Sequence, residues 1–328
     1  MSWRQQIALS VGGTYGHLFP ALQALRMSKD HFFFIGIGLD ASPFLKQTIC
    51  EIISLDGGRR FTKLLKSCWQ AFRAFQKKDP QFVIVFGSYH SFPAGIAALI
   101  LGKPIWVFEP NANMGKVNRF FSFFAHKILC YDEMLVKKFP NRGFLMRPEL
   151  EIKERSSLFS SFGLAQKKPV LLIIGGSSGS EFLNGWAYKN VDRLDLFDVI
   201  HLVGPKNDPE PFKKRYKEKH ITAYVETFIN TLHDAMQIAD VALTRAGAST
   251  LKELLFYQVP ALIVPFEGAY QHQKNNALHF IDQGGVGTIK PEKEVDSILD
   301  ALLTLKSIKR GDKVRLEGGL WSDIILLA

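Results

Sequence analysis

Two glycine-rich segments, each directly after a short apolar run, constrain the fold of this chain more than any other feature. Residues 12–16 read GGTYG after the run IALSV, and residues 175–179 read GGSSG after the run VLLII. A helical pattern follows each segment, and each segment opens its half of the chain. Parallel α/β domains bind ligands outside the carboxyl ends of their strands, so the repeat predicts two such domains, each with a glycine turn after its first strand.

Short apolar runs alternate with helix-like stretches in both halves, which is typical of parallel sheets covered by helices. The predicted strands are Ile7–Val11, Phe32–Ile37, Phe82–Phe86, Ile105–Phe108, Lys127–Cys130, Val170–Ile174, Val199–Val203, Val241–Thr244 and Ala261–Val264. The periodicity lapses between Arg147 and Lys168. We therefore expect an N-terminal domain of residues 1–148 and a C-terminal domain of residues 149–328. From about Glu292 we expect one more helix and a tail, and a return of that helix to the N-terminal domain is left open.

Composition narrows the class of protein but does not identify a partner. The chain has 328 residues, a formal net charge of +10 and 47% hydrophobic residues, which excludes a disordered or collagen-like chain. Its 3 cysteines show no CxxC spacing, which argues against a zinc ribbon and favours a reducing compartment. We find no signal-peptide pattern and no apolar run of the ~18 residues that a membrane span needs. The positive charge leaves nucleic acid, an anionic lipid surface and a phosphorylated substrate open.

Both glycine turns are candidate phosphate sites, because the backbone N–H groups at the start of a helix carry partial positive charge. The alternative is a tight turn that binds nothing. Neither turn reads GxGxxG or GxxxxGK[ST], which disfavours a nicotinamide dehydrogenase and a P-loop NTPase. His17 follows the first turn, and the ordinary histidine pKa of about 6.5 suits a general base. A side chain that only lines the turn is the alternative.

Four further segments follow predicted strands and carry polar side chains. Thr250 and Glu253 have the T-x-x-E spacing of a helix capping box, and spacing alone favours that role over a ribose-binding carboxylate. Residues 265–277 form a loop rich in amides, suited to an uncharged hexose or simply solvated. Gly87–Gly95 and Glu109–Asn113 each follow a strand, so they predict a cleft at the carboxyl edge of the first sheet.

One helix and one aromatic cluster point to a lipid surface. Phe61–Lys78 has apolar residues at helical spacing, with basic residues between and after them. Such a helix is typical of a membrane surface, although a helix that packs its apolar stripe on the sheet is more common. Phe120–Phe124 adds a second aromatic cluster, for which burial in the core is again the alternative.

Taken in order, these motifs resemble the MurG family of N-acetylglucosamine transferases of peptidoglycan synthesis. The resemblance runs from about Ile7 to Gly287 and is carried by GGTYGHLFPA, GSYHSFPAG, FEPNANMGKVNR, IIGGSSGSEFLN, ADVALTRAGASTLKELL and VPFEGAYQHQKNNA. It implies a GT-B fold, with two doubly wound Rossmann-like domains facing an interdomain cleft, and no metal or other cofactor. It also implies inverting transfer of GlcNAc from UDP-GlcNAc to the 4-hydroxyl of MurNAc in lipid I, giving lipid II at the cytoplasmic face of the plasma membrane.

The resemblance also implies roles for particular residues. His17 would be the catalytic base, with Glu109 as the runner-up. Contacts to UDP-GlcNAc would come from Thr14, Gly16, Asn111, Arg147, Ser177, Ile229, Ala248, Ser249, Thr250, Leu251, Glu253, His272 and Gln273. Gly13, Tyr15, Ser88 and Tyr89 would face the acceptor or its diphosphate. Implied partners are UDP-GlcNAc, lipid I, an anionic membrane surface through the Phe61–Lys78 helix, and cell-wall synthesis proteins, with no nucleic acid.

The chain departs from the family at three places. Tyr15 and Ser88 stand where the family motifs G-G-T-G-G-H and G-G-Y-x-S-x-P-x-G have glycine, and only Gly143 and Arg147 remain of T-G-N-P-V-R. These departures leave the acceptor site less determined than the donor site. The alternatives are therefore another UDP-sugar enzyme of this fold, such as a UDP-GlcNAc 2-epimerase or a glycolipid glycosyltransferase, and a non-catalytic nucleotide- or membrane-binding protein.

Overall fold

The chain divides into two compact units. The structure, a computed structural model, describes residues 6–12, 15–27, 32–42, 45, 50–58, 60–148, 150–311, 318–321 and 323. Unit 1 consists of Met1–Glu149 together with Glu317–Ala328, and unit 2 consists of Leu150–Leu316. Each unit is built on one parallel sheet with helices on both faces.

Unit 1 contains a seven-stranded parallel sheet with the strand order β3-β2-β1-β4-β5-β6-β7. Its strands are β1 Ile7–Ser10, β2 Phe32–Ile37, β3 Glu51–Leu55, β4 Phe82–Val85, β5 Ile105–Glu109, β6 Lys127–Cys130 and β7 Gly143–Leu145. Its helices are α1 Tyr15–Met27, α2 Phe61–Lys78, α3 Phe92–Ile100, α4 Lys116–Ser122 and α5 Glu133–Lys137. Side chains alternate between the two faces of a strand, so Leu9 enters one core and Ala8 the other.

Unit 2 contains a six-stranded parallel sheet with the strand order β10-β9-β8-β11-β12-β13. Its strands are β8 Val170–Ile174, β9 Asp198–Leu202, β10 Ala223–Glu226, β11 Val241–Thr244, β12 Ala261–Ile263 and β13 Gly287–Ile289. Its helices are α6 Arg155–Leu158, α7 Glu181–Lys189, α8 Glu210–Glu218, α9 Leu232–Ile238, α10 Ala248–Phe256, α11 Tyr270–Asp282 and α12 Ile298–Leu305. The helix expected after Glu292 is therefore α12, which lies within unit 2.

The nine predicted strands are all present, five of them with a bound that differs by one residue. The sequence did not predict β3, β7, β10 and β13. These four strands are the outer strands of the two sheets. Their side chains are mostly half-buried or exposed, so they lack the continuous apolar run that marks a strand covered on both faces.

Strand order reverses once in each sheet, next to the first strand of the unit. The chain passes from β1 outward through β2 and β3, then returns to β4 on the other side of β1. In unit 2 it passes from β8 outward to β10 and returns to β11 on the other side of β8. Such a reversal opens a crevice at the carboxyl ends of the two central strands, where ligands bind in doubly wound sheets. The glycine turn of unit 2 follows β8, and Gly12 and the start of α1 follow β1, so both lie at these strand ends.

The last described residues pack on the core of unit 1. The Trp321 ring is buried, with its centroid 5.8 Å from that of Phe86 and 5.3 Å from that of Phe108. The N–H of Gly319 donates to the carbonyl of Leu145 over 2.9 Å, which extends the edge of the sheet beyond β7. Unit 1 is thus completed by a segment that follows unit 2 in the chain.

A fully buried histidine in unit 2 makes stability depend on pH. Nε2 of His201 donates a hydrogen bond to Oδ1 of Asn184 (3.0 Å), and Nδ1 accepts one from the Tyr216 hydroxyl (3.2 Å). Burial lowers the pKa of His201 to about 3. The unfolded chain binds this proton near pH 6.5 and the folded chain does not, so acid favours unfolding.

We expect unit 2 to lose about 1.4 kcal/mol of stability per pH unit between about pH 6.5 and pH 3. Urea unfolding at pH 7 and pH 5 should therefore differ by about 2 kcal/mol more in the wild type than in His201→Gln. Equal pH dependence in the two proteins would contradict this assignment.

Candidate functional site

The glycine turn of unit 2 is a tight loop between β8 and α7. A Cβ atom on Gly175 would lie 2.2 Å from the backbone nitrogen of Ser180, so no side chain fits there. Gly179 has a φ of +76°, which other residues rarely adopt. Ser180 caps α7 by accepting a hydrogen bond from the N–H of Leu183 over 3.3 Å. The half-exposed Ser177 lies within this turn, where the helix dipole favours an anion.

Arg245, at the carboxyl end of β11, ties four segments of unit 2 together. Its guanidinium is buried and donates through Nε to Oγ of Ser180 (2.9 Å) and through Nη1 to the carbonyls of Val264 (3.1 Å) and Pro265 (3.3 Å). Nη2 lies 2.6 Å from a carboxylate oxygen of Glu292. The loops after β8, β11, β12 and β13 are thereby fixed against one another. Sequence reasoning assigned Arg245 no role, because only the fold brings these loops together.

Helix α10 begins at Ala248, and its N-cap is Gly247, which makes no side-chain cap. Thr250 and Glu253 therefore lie inside the helix, and the capping-box prediction is wrong. The Glu253 carboxylate is buried, and Oε1 lies 3.6 Å from Nε2 of His233 on α9. A buried carboxylate with an imidazole beside it is a candidate acceptor for ligand hydroxyls.

The first turn of α10 also faces the crevice of unit 2. Ala248, Ser249 and Thr250 are half-buried, while the side chain of Leu251 is buried in the core. The side chain of Ile229, in the loop after β10, is buried in the same core cluster. These two buried residues can meet a ligand only through their backbone.

Gln273 on α11 is held in one orientation by the backbone. Its Oε1 accepts from the N–H groups of Ala246 (3.2 Å) and Phe266 (2.8 Å). The carbonyl end of the amide is therefore occupied, and the Nε2 amino group is the end that can donate to a ligand. His272, beside it on the helix, is exposed.

His17 in unit 1 is half-buried at the start of α1. Burial lowers its pKa, and the neighbouring Glu109 carboxylate and a hydrogen bond with the Phe86 backbone only partly oppose that effect. Among the described residues, Nδ1 has no hydrogen-bond partner. A neutral imidazole with an unpaired ring nitrogen can accept a proton at pH 7.

Glu109 organises the loop that follows β5. The side chain is buried; Oε1 accepts from the backbone N–H of Asn111 (3.1 Å) and from its Nδ2 (2.7 Å). Oε2 accepts from the N–H of Gly115 (2.9 Å) and from Nδ2 of Asn118 (2.9 Å). Four hydrogen bonds occupy the carboxylate, so it positions Asn111 and the loop more readily than it could remove a proton from a substrate.

Ser88 and Tyr89 lie in the loop after β4, where Ser88 packs beside Gly12, the first residue of the glycine turn of unit 1. Ser88 has φ +71° and ψ +154°, a conformation that costs a residue with a side chain about 1–3 kcal/mol. Its Oγ lies 2.9 Å from Nδ1 of His90. The Tyr89 hydroxyl donates to the carbonyl of Gly58 and is thereby engaged within the protein.

The remaining predicted residues fall into three groups. Arg147 donates through Nε to the carbonyl of Gly318 over 3.1 Å, so its side chain is held by the C-terminal segment of unit 1. Gly13 and Thr14 lie outside the described residues. The backbone of Tyr15 and Gly16 forms the first turn of α1, but the Tyr15 side chain is outside the described part.

Helix α2 has the predicted bounds Phe61–Lys78 and two apolar faces. Ser67, Ala71 and Phe75 are buried, and the helix packs mainly against α3. Phe61, Leu65 and Trp69, one turn apart from each other, are 72%, 52% and 63% exposed. We call these three residues the α2 patch. Phe120, Phe123 and Phe124 at the end of α4 are also exposed. Among the described residues, no helix is long and apolar enough to cross a membrane.

Comparison with known proteins identifies the class of protein. The family model of the glycosyltransferase family 28 N-terminal domain matches residues 7–130, and that of the family 28 C-terminal domain matches residues 170–310. Together the two matches cover most of the chain. Each match includes the strand-order reversal of one sheet. The molecule is thus a glycosyltransferase of the two-domain α/β type.

Several curated relatives share one enzyme name, UDP-N-acetylglucosamine–N-acetylmuramyl-(pentapeptide) pyrophosphoryl-undecaprenol N-acetylglucosamine transferase. The Chlamydia pneumoniae protein is 33% identical over 313 residues, which cover 89% of this chain and 86% of the relative. The Thermosipho melanesiensis protein is 31% identical over 325 residues, which cover 93% of each chain. The chain belongs to the MurG family.

Solved structures agree in fold. The crystal structure of Acinetobacter baumannii MurG matches with a TM-score of 0.69 and 23% identity, covering 98% of each chain. The glycosyltransferase SsfS6 of Streptomyces sp. SF2575, complexed with thymidine diphosphate, matches with a TM-score of 0.66 and 14% identity over 98% of this chain and 99% of that one. The predicted family and the predicted fold are both confirmed.

Proposed function

We propose that this enzyme transfers GlcNAc from UDP-GlcNAc to the 4-hydroxyl of MurNAc in lipid I, producing lipid II. The observation that carries the proposal is the shared enzyme name of relatives that are 31–33% identical over about nine tenths of the chain. The two crevices supply the chemistry that such a reaction needs. Unit 2 offers a glycine turn at the start of a helix, a carboxylate that can accept hydrogen bonds from hydroxyls and an amide that can donate, and unit 1 offers the half-buried, neutral imidazole of His17.

The donor is proposed to bind at the crevice of unit 2. The glycine turn and the start of α7 would hold the diphosphate with Ser177, without a metal ion. Backbone groups of Ile229 and the first turn of α10 would hold the uridine, and Glu253 would accept from the ribose hydroxyls. The Nε2 amino group of Gln273 would donate to an oxygen of the hexose. Backbone donors fixed by Arg245 would then stabilise the charge that develops on the leaving diphosphate.

The acceptor is proposed to bind at the crevice of unit 1, with His17 as the base. The MurNAc 4-oxygen would attack the anomeric carbon of GlcNAc, the bond from that carbon to the diphosphate oxygen would break, and UDP would leave from the opposite face. The hydroxyl proton would pass to the neutral imidazole of His17. The four hydrogen bonds accepted by Glu109 support His17 over Glu109 in this role.

Transfer of radiolabel from UDP-GlcNAc to a lipid I analogue tests the proposal directly. We expect labelled lipid-linked disaccharide, with the same yield in EDTA as in magnesium. Transfer to a soluble sugar or conversion to UDP-ManNAc, without transfer to lipid I, would instead favour another UDP-sugar enzyme of this fold. If the protein neither transfers GlcNAc nor hydrolyses UDP-GlcNAc, the result would favour a non-catalytic nucleotide- or membrane-binding protein.

Replacing Glu253 by alanine is expected to weaken UDP binding about 10- to 100-fold, because hydrogen bonds to a charged acceptor contribute about 1.5–3 kcal/mol. Isothermal titration with UDP measures the effect. The control is Glu218→Ala, which removes an exposed carboxylate on α8 and should bind UDP as the wild type does. Unchanged UDP affinity in Glu253→Ala would remove this carboxylate from the proposed donor site.

The α2 patch is proposed to associate with an anionic membrane surface, which would place the enzyme at the cytoplasmic face of the plasma membrane. Basic side chains lie between and after the patch residues along α2, among them Lys63, Arg73 and Lys77. The Arg73 guanidinium lies 5.9 Å from the centre of the Trp69 ring. A basic residue near an anionic lipid surface contributes about 1 kcal/mol, and a buried apolar side chain about 1.5–3 kcal/mol.

Combined replacement of Phe61, Leu65 and Trp69 by serine is expected to lower vesicle affinity at least about 100-fold without loss of fold, because these side chains are exposed. Sedimentation with vesicles of 30 mol% anionic lipid measures this affinity. Met134→Ser, an exposed apolar residue on α5, is the matched control and should bind as the wild type. Undiminished binding of the triple variant would exclude the α2 patch as the membrane site.

A further inference from the structure

Residues 203–207 follow β9 and pack directly on the glycine turn of unit 2; we call them the β9 loop. A Cβ atom on Gly204 would lie 2.7 Å from the backbone nitrogen of Gly179 and 2.9 Å from the carbonyl oxygen of Ser178. A Cβ atom on Gly179 would in turn lie 2.8 Å from Cα of Gly204. The φ angle is +76° at Gly179 and +91° at Gly204. The two backbones therefore meet where neither residue can carry a side chain, and a shift of the β9 loop must move the turn.

A buried polar chain holds the β9 loop in this position. The two hydrogen bonds of His201 described above join Tyr216 on α8 to Asn184 on α7. Nδ2 of Asn184 then donates to the carbonyl of Val203 over 2.9 Å. All four residues are buried, so each bond is favoured because an unpaired polar group would have no water to bond.

Two further hydrogen bonds fix the β9 loop. The Val203 carbonyl also accepts from Nδ2 of Asn207 over 2.8 Å, so both of its lone pairs are used. The N–H of Gly204 donates to the carbonyl of Thr227, after β10, over 3.1 Å. The loop is therefore attached to α7, to its own last residue and to the segment that follows β10.

We propose that the β9 loop is a positioning element of the donor site, which holds the glycine turn in the shape that receives the diphosphate. This inference rests on the function proposed above and deepens it. Strand β8 lies between β9 and β11. Arg245 holds the turn from the β11 side through Ser180, and Gly204 holds it from the β9 side. Donors fixed in advance stabilise an anion without having to reorganise when it binds.

Binding of UDP and of uridine separates this role from a general loss of stability. In Gly204→Ala we expect the Kd for UDP to rise at least about tenfold and the Kd for uridine to stay within about threefold, because only UDP carries the diphosphate. Gly284→Ala is the matched control. Gly284 has a φ of +88°, and among the described residues nothing beyond its chain neighbours lies within 4 Å of a Cβ atom there. This variant adds a comparably strained methyl group and should leave both affinities unchanged. Calorimetry measures UDP binding, and NMR titration measures uridine binding.

Two asparagines of α7 supply a second pair of variants. Asn184→Ala removes the hydrogen bond to Val203, so the Kd for UDP should rise at least about threefold while that for uridine is unchanged. Asn190→Ala removes a similar bond, from Nδ2 to the carbonyl of Trp186 over 2.9 Å, and should bind UDP as the wild type does. Hydrogen exchange of residues 175–180 should be faster in Asn184→Ala than in Asn190→Ala.

Unchanged UDP affinity in Gly204→Ala, or an equal loss of UDP and uridine affinity, would overturn the proposal. If Gly204→Ala does not fold, the comparison of Asn184→Ala with Asn190→Ala decides in the same way. If the wild type transfers no GlcNAc to lipid I while Gly204→Ala selectively loses UDP, the proposed reaction fails and the positioning role stands. If the wild type does transfer GlcNAc and Gly204→Ala keeps its UDP affinity, the proposed function stands and the positioning role fails.

Discussion

Alanine in place of His17 is expected to lower kcat for transfer to lipid I by about 100- to 10,000-fold, the usual contribution of a positioned base. Affinity for UDP-GlcNAc should stay within about threefold, because the proposed donor contacts lie in unit 2. Radiolabel transfer gives kcat, and titration with UDP-GlcNAc gives the affinity. His17→Gln, which keeps a polar side chain but cannot take the proton at neutral pH, should show the same loss of kcat.

The pH profile supplies an independent check on His17. Burial lowers the pKa of this imidazole, so the base stays neutral at pH 7 and becomes protonated only at pH values below the ordinary histidine range. The wild-type rate should therefore fall to half its maximum only at a pH below the ordinary histidine pKa of about 6.5. A kcat close to the wild-type value in His17→Ala would exclude His17 as the base and direct attention to Glu109.

Replacement of Arg245 by methionine is expected to have the second large effect, on both stability and donor binding. Methionine leaves the Val264 and Pro265 carbonyls and the Glu292 carboxylate without their shared cation. Breaking a buried ion pair by removing one partner costs about 3–5 kcal/mol, and partial solvent access of Glu292 places our expectation at about 3 kcal/mol. Because Ser180 also loses its contact with Arg245, the glycine turn loosens and KM for UDP-GlcNAc should rise at least about tenfold.

Hydrogen exchange of peptides from β8, β11 and β12, measured beside urea unfolding, can locate the effect of Arg245→Met in unit 2. Arg245→Lys keeps the positive charge but lacks the planar guanidinium with its several N–H donors. Its loss of stability should therefore lie between those of the wild type and Arg245→Met. Arg193→Met, which alters an exposed arginine of the same unit, should change stability by less than about 0.5 kcal/mol. Equal stability of Arg245→Met and wild type would show that the four loops do not depend on this guanidinium.

The central strands could be predicted from sequence, and the outer strands could not. Val170–Ile174 is covered by helices on both faces, and its five residues are all buried and apolar. Glu51–Leu55, at an edge, has two exposed, two half-buried and one buried residue, so it lacks a continuous apolar run. Periodicity reports burial, so it fails where a strand has a neighbour on one side only.

In the candidate site, too, sequence predicts features formed by consecutive residues and misses those formed by residues far apart in the chain. Spacing placed Glu253 in a capping box, but the helix starts at Ala248, two residues before Thr250. The role of Arg245 depends on Ser180, 65 positions away, and on Glu292, 47 positions away, so no local motif could show it. The glycine turns and His17 were found because their chemistry lies within a few consecutive residues.

Trp321 has a consequence for how the protein is made. Its ring completes a cluster with Phe86 and Phe108, which lie at the carboxyl ends of β4 and β5. A ribosome adding ~5–20 residues per second reaches Trp321 roughly 10–40 seconds after Phe108. During that interval unit 2, which is continuous in sequence, can begin to fold. The cluster of Phe86 and Phe108 is incomplete until Trp321 has been added. The core beneath the crevice of unit 1 therefore lacks the Trp321 ring until the whole of unit 2 has been synthesised.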